Sequence, residues 1–308
     1  MRNPLLLLCL LGVSTFVFSQ ADSTATQKKD TIWTKGGVYN LNFSQVGLRN
    51  WVGGGESSIA LGSILDVFAN YKKGNSSWNN SLTFAYGISR VGGGDELFKK
   101  SDDQLIFISK YGQKINDNWY GSAVLDFRSQ IAPGFTFATD TVDGQPVEVR
   151  DNVISRFAAP AFALVSIGAE YKKGGLYSVV SPAAGKITIV ADDELAAQGL
   201  FGVDTNDNVR FEFGASVKAV YKKKEILKNV DFSTSLTLFS AYTSFIKEID
   251  VNGEISLVFK VNKYLNAAFT GQVIYDEDVD ITRSDGTIGP GIQLKNTISI
   301  GFFYKFNK

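Results

Sequence analysis

Asn296-Thr-Ile-Ser-Ile-Gly-Phe-Phe-Tyr-Lys-Phe306 decides the fold. Ile298, Ile300, Phe302, Tyr304 and Phe306 fall on one side of a period-2 strand; Thr297, Ser299, Gly301, Phe303 and Lys305 fall on the other. One face is apolar and the opposite face mostly polar. In a soluble sheet the apolar face meets a core. Here the strand ends on aromatic residues and closes a histidine-free chain of alternating segments, a pattern that points to lipid as the partner.

The alternation recurs upstream. It is clearest at Val209, Phe211, Phe213, Ala215, Val217, Ala219 and Tyr221, which oppose Arg210, Glu212, Ser216, Lys218 and Lys222. A lysine at the centre of such a strand is costly against lipid and cheap in a wet lumen. Similar segments begin near Gly37, Ile59, Trp78, Leu105, Trp119, Ala161, Phe232, Ile249 and Leu265. Leu176 to Ser181 reads as a further short strand, apolar on both faces. The sum is an all-β, transmembrane antiparallel barrel of about twelve strands. Pro133 to Arg156 reads as a polar loop, and Ser181 to Asn208 as the longest interruption, holding a short strand at Lys186 to Val190 and a helical turn at Asp192 to Gln198.

Loop parity agrees. Lys72 to Asn75, Gly112 to Asn118, Lys172 to Gly175, Lys222 to Asn229 and Lys260 to Lys263 are the short connections, expected in the periplasm. The connections around Gly53, Gly94, Ala138, Asp193, Ser244 and Asp285 are mostly longer and belong outside. Tyr71, Tyr111, Tyr171 and Tyr221 each precede a short turn, where a ring can set its body in hydrocarbon and its hydroxyl among headgroups.

The N-terminus reads as a secretory signal over residues 1–19. Met1-Arg2-Asn3 precedes the apolar run Pro4 to Phe18, and cleavage is expected after Ser19. A flexible periplasmic lead over 20–35 and a barrel over 36–308 follow. The run is too short for a spanning helix. The single cysteine, Cys9, lies inside it, so the mature chain is expected to carry no disulfide, thiolate or cysteine metal site. Among the 308 residues, 31 basic and 31 acidic side chains balance, which suggests no nucleic-acid partner. With no histidine, the usual serine and cysteine triads, histidine metal sites and imidazole bases are missing, as are the outer-membrane phospholipases and omptin-type proteases in their usual form. No catalytic residue, metal or cofactor is expected.

Gly301-Phe-Phe-Tyr-Lys-Phe306 resembles the Gly-x-x-Φ-x-Φ signal (Φ, hydrophobic) by which bacterial outer-membrane barrels are recognised for insertion. Gly301, Tyr304 and Phe306 carry that likeness, which implies the barrel-assembly machinery as a partner during insertion. Ser44-Gln-Val-Gly-Leu-Arg-Asn-Trp-Val-Gly-Gly54, Trp78-Asn-Asn80, Tyr86-Gly87, Ala132-Pro-Gly134 and Tyr275-Asp276 resemble a Bacteroidetes family catalogued as domain of unknown function 3078. The resemblance implies a barrel in the outer membrane of a Gram-negative bacterium. It implies no activity.

Asn50, Trp51, Gly53 and Gly54 read as a docking element, a plug in the barrel mouth or part of the aromatic girdle. Asp204 to Asn208 opens like a calcium loop, but Val209 stands where glycine is needed and Ala215 where the bidentate glutamate belongs. Asp276 to Asp280 is an acidic cluster, read as a solvated loop rather than an ion bridge to lipopolysaccharide. The expected lumen mixes Asp126, Arg128, Arg210, Glu212 and Lys218 with Asp66, Arg90, Lys110, Glu170, Asp231 and Glu254, and bulky Phe68, Phe162, Phe239 and Phe303 on the same side narrow the bore. Mixed signs favour a salt-bridged, largely closed interior over a strongly ion-selective pore. The expectation is a non-enzymatic envelope component that is structural or binds a membrane-protein partner, alongside lipid and lipopolysaccharide. The alternative is a narrow diffusion channel for small polar solutes.

Overall fold

A computed structural model describes residues 32–49, 55–92, 96–142, 144–282 and 287–307. The expected signal and most of the lead lie outside the described residues, as do Asn50, Trp51, Gly53 and Gly54.

Among the described residues, twelve long strands close into one antiparallel barrel. In chain order they are β1 (Trp33–Val46), β2 (Ser58–Lys73), β3 (Ser76–Val91), β4 (Lys99–Lys114) and β5 (Trp119–Ser129). After a separate ribbon of β6 (Gly134–Val142) and β7 (Gln145–Ser155) come β8 (Ala161–Lys173), β9 (Leu176–Ile189) and β10 (Val209–Leu227). Then follow β11 (Val230–Ala241), β12 (Asp250–Lys260) and β13 (Leu265–Tyr275). A small pair, β14 (Asp280–Thr282) and β15 (Ile288–Pro290), precedes the closing strand β16 (Gln293–Asn307). The last strand pairs with both β13 and β1, with Leu41 opposite Phe302 and Tyr39 opposite Tyr304, so the sheet has no free edge.

The alternating pattern sets which side chains meet the outside. Ile298 is 78% exposed and Phe302 67%, while Gly301 between them is buried against Asn42 and the Leu41 carbonyl. A side chain at Gly301 would collide with both. At the end with short turns, Trp33 packs on Tyr71 and Trp78 with ring centroids 5.3 and 6.0 Å apart, and Trp119 packs on Tyr171 at 5.1 Å. This is an aromatic belt of the kind that marks a membrane interface. The long connections all emerge at the other end.

Four expectations need correction. Pro133 to Arg156 is not a plain loop: most of it forms the β6–β7 ribbon, a two-stranded sheet separate from the barrel wall whose faces each mix polar and apolar side chains. The strand beginning at Leu176 does not stop at Ser181 but runs to Ile189. It carries one extra residue at the bulge near Pro182, seen as a register shift against both β8 and β10. Gly168 lies opposite that bulge, where a Cβ would run into the Val180 carbonyl. Thirdly, β10 continues through the lysine-rich segment to Leu227, leaving a turn at Lys228 and Asn229. Fourthly, Trp33 to Lys35, inside the expected lead, are already strand.

Candidate functional site: a divided lumen

Inward-facing residues follow from the register. Lys218 on β10 faces Thr237 on β11 and Val179 on β9, and the same parity carries round the barrel to Asp126 and Arg128 on β5 and Glu254 on β12. The structure brings these groups together. Arg128 Nη1 donates to Glu254 Oε1 at 2.9 Å and Arg128 Nε to Asp126 Oδ1 at 3.0 Å. Lys218 Nζ donates to the other Asp126 oxygen at 2.7 Å. β8, β9, β10 and β11 lie between β5 and β12 in the wall, so this chain of ions crosses the bore at mid-height.

The bar separates two unlike halves. Between β4 and β11, going by way of β8 and β9, the interior is filled. Glu170 is fully buried, accepting from Lys110 Nζ and, at 2.5 Å, from the Ser122 hydroxyl; Lys172 Nζ stands 3.3 Å away. Lys110 also lies 4.1 Å from the centre of the Tyr177 ring. Ser166, Val179, Ser181, Ala184, Ser216 and Phe239 are buried on the same side. Both Glu170 oxygens are thus engaged inside the packed half, Oε1 by two cations and Oε2 by a hydroxyl.

On the other side, from β13 through β16, β1 and β2 to β3, inward residues are short and uncharged for the most part, with Phe68 opposite Ser81 and Phe303 opposite Asn40 the bulky exceptions. Thr270, its neighbour Thr297 and Ser81 point inward near mid-strand and are exposed, although they lie inside the barrel. Asn40, Asn42 and Ser299 are half-buried beside them. Their side chains are too short to reach across. Near the outer end this half is crossed by Lys295 Nζ on β16 and Asp102 Oδ1 on β4, 2.5 Å apart, with β1, β2 and β3 between those strands.

At the outer mouth, Arg210 and Glu212 join a second cluster. Lys186 Nζ is 2.5 Å from Asp250, 2.7 Å from Asp276 and 3.6 Å from Glu212. Arg210 bonds Asp278 at 2.7 Å, Glu212 at 3.3 Å and the Gly202 carbonyl at 2.9 Å. Over β9 and β10 the connection 190–208 folds on itself. Helix α1 (Asp193–Ala196) and a 3-10 turn at Leu200–Gly202 bury Leu195, Ala196, Val190 and Val203 against Ala159. Asp192 caps α1, accepting from the Leu195 N–H at 3.0 Å and from Arg156 at 2.5 Å. The Leu195 N–H and, after it, Arg156 hold the Asp192 carboxyl below its ordinary range.

The lumen charges Asp126, Arg128, Arg210, Glu212 and Lys218 stand on the inner face, but in two separate clusters; Arg90, expected among them, does not, because it lies opposite Ile59 on the outer parity of β2 and β3. Gly301, Tyr304 and Phe306 lie on the closing strand, with the Tyr304 and Phe306 rings stacked 6.4 Å apart on the outer face. Sequence reading missed Lys186, Asp250, Asp102 and Lys295. Extending the alternation of β16 back to Gln293 finds Lys295. Lys186 was hidden by the bulge.

A family model described as a protein of unknown function (DUF3078) matches residues 43–135. No curated protein matches the chain. Among solved structures, the COG4313 outer membrane channel from Pseudomonas putida F1 is similar over 93% of this chain and 100% of its own, at 10% identity and a TM-score of 0.39. OmpT, an outer membrane protein of Vibrio cholerae, is similar over 91% of this chain and 99% of its own, at 11% identity and a TM-score of 0.29. The β domain of the Bordetella autotransporter Brka gives 88%, 97%, 11% and 0.29 in the same order.

Proposed function

We propose that the chain spans the outer membrane of a Gram-negative bacterium as a non-enzymatic barrel and serves as a narrow, off-axis diffusion channel for small polar solutes. The membrane reading is supported by the apolar outer face and the aromatic belt at the short-turn end. The single observation that carries the channel is the exposure of inward-facing Ser81, Thr270 and Thr297 at mid-height, opposite a half-bore that is packed shut. Hydroxyl and amide side chains on that wall offer both donors and acceptors, which lets a hydrated solute exchange water contacts without a large desolvation cost. Against catalysis stands the saturation of the central carboxylates by cations, together with the lack of any imidazole.

The test is purified barrel in planar bilayers and in proteoliposome swelling. Small reproducible current steps, or swelling in a small polar solute, are the expected result. Permeation no faster than in protein-free membranes would overturn the channel. It would favour the second reading, a closed partner-binding barrel, which draws on the Glu254–Arg128–Asp126–Lys218 bar and the folded 190–208 cap. That reading requires a stable neighbour in crosslinked native membranes.

A further inference from the structure

We infer that Asp66 is the specificity-determining residue of the open half-bore and makes it favour small cations over anions. The inference rests on the channel reading above.

Asp66 faces inward near the middle of β2, pairing with Val38 on β1 and Thr83 on β3. Its Oδ1 accepts from the Thr83 hydroxyl at 2.5 Å, and among the described residues no cation stands within ion-pair distance of it. The contrast with the filled half is sharp. There Asp126 has two cations and Glu170 two. In the open half the other acidic side chain, Asp102, is neutralised by Lys295. Thr270, Thr297, Ser299, Asn40 and Asn42 add no charge. Lys222, on β10 across the bore, is the cation that acts on Asp66 from beyond ion-pair distance. A carboxylate without an ion-pair partner, on a wall whose neighbouring side chains are neutral and in a passage already narrowed on one side, biases the local potential toward cations, because the low-dielectric wall concentrates its field.

The approach from outside carries the same sign. In the mouth cluster four carboxylates, Glu212, Asp250, Asp276 and Asp278, surround two cations, Lys186 and Arg210. The excess negative charge attracts cations toward the entrance. Apart from Lys295, which Asp102 neutralises, the described basic residues of inward parity in the open half, Lys72 and Lys305, stand at the opposite, short-turn rim, exposed to water. Salt screens them there within about a Debye length, roughly 8–10 Å at ordinary ionic strength.

The experiment is the reversal potential of the full barrel in a planar bilayer under a potassium chloride gradient. Wild type is expected to pass potassium several-fold better than chloride. Asp66→Asn, nearly isosteric and able to keep the Thr83 contact, is expected to conduct with a ratio near unity, and Asp66→Glu to restore cation preference. Heat-modifiable gel mobility confirms that each variant is folded. Anion preference in wild type, or an unchanged ratio in Asp66→Asn, would overturn the assignment. Failure of wild type to pass any ion or neutral sugar is a different outcome: it removes the channel itself, and this assignment with it.

Discussion

The two halves of the lumen are built from the same strand alternation and end in opposite states. What separates them is side-chain reach. On the β5, β8 and β10 wall, inward positions hold Arg128, Glu170 and Lys218, long enough to meet a partner one or more strands away. On the β13, β16 and β1 wall they hold Thr270, Thr297, Ser299 and Asn40, which end within a few ångströms of their own strand. Closing a wide barrel from within therefore depends on length and on opposite charge together. A long side chain without a partner would leave a buried ion, and such an ion is expensive. The filled half is a salt-bridged plug made of wall residues, and the open half is what remains where the sequence supplies no long inward pairs.

The largest expected effect breaks the filled half. Glu170→Ala leaves Lys110 and Lys172 facing each other without a counter-ion, and removing one partner of a buried pair costs about 3–5 kcal/mol. Thr297→Ala in the open half should stay within about 0.5 kcal/mol of wild type, as at an exposed site. Urea unfolding in lipid, followed by tryptophan fluorescence, measures both; equal losses would mean that the two halves do not differ in packing.

Next in size is the test of facing. Val217→Lys places a charge mid-strand on the lipid face and should cost about 2–4 kcal/mol. Lys218→Leu removes a charge-assisted hydrogen bond from Asp126, which keeps Arg128, and should cost about 1.5–3 kcal/mol. The gap is narrower than the sequence alone suggests, because alternation marks Lys218 as wet without revealing its partner. A reversed ranking of folded yields would place the strand one residue out of register.

That pair shows how far the sequence carries. Period-2 alternation, the tyrosines before short turns and the loop asymmetry were enough for the closed barrel, since each is a local consequence of having lipid on one face. The parity of β10 placed Arg210, Glu212 and Lys218 inside. Three things were out of reach. The bulge near Pro182 shifts parity by one, so Val179, 2% exposed, and Val180, 54% exposed, look alike in the sequence. In the β6–β7 ribbon each face mixes polar and apolar side chains, so the segment mimics a loop even though Asp143-Gly144 is a hairpin signal. Partners across the bore, such as Glu254 for Arg128 or Asp102 for Lys295, lie far apart in the chain, and period alone carries no information about which inward residues meet.

The smallest effect concerns the cap over the filled half. If the 190–208 segment is a self-standing fold, its stability should depend on the Asp192 cap of α1. Asp192→Ala is expected to cost about 0.5–2 kcal/mol locally, with the barrel unaffected. The pH dependence follows from the sign of the shift. The Leu195 N–H, and Arg156 after it, favour the ionised form, so the folded carboxyl titrates below the value of an unstructured aspartate, about 3.9. Its contribution is then fully present above about pH 3.9 and is lost as pH falls through the lower folded value. The Leu195 amide shift, followed by NMR in detergent, should titrate with a midpoint below 3.9. Asp192→Asn keeps an oxygen acceptor for the amide but has no proton to bind, so that titration should vanish while the cap persists. A midpoint at or above the unstructured value, or the same titration in the Asn variant, would show that Asp192 does not hold the cap, and the closure of the filled half would then rest on the wall residues alone.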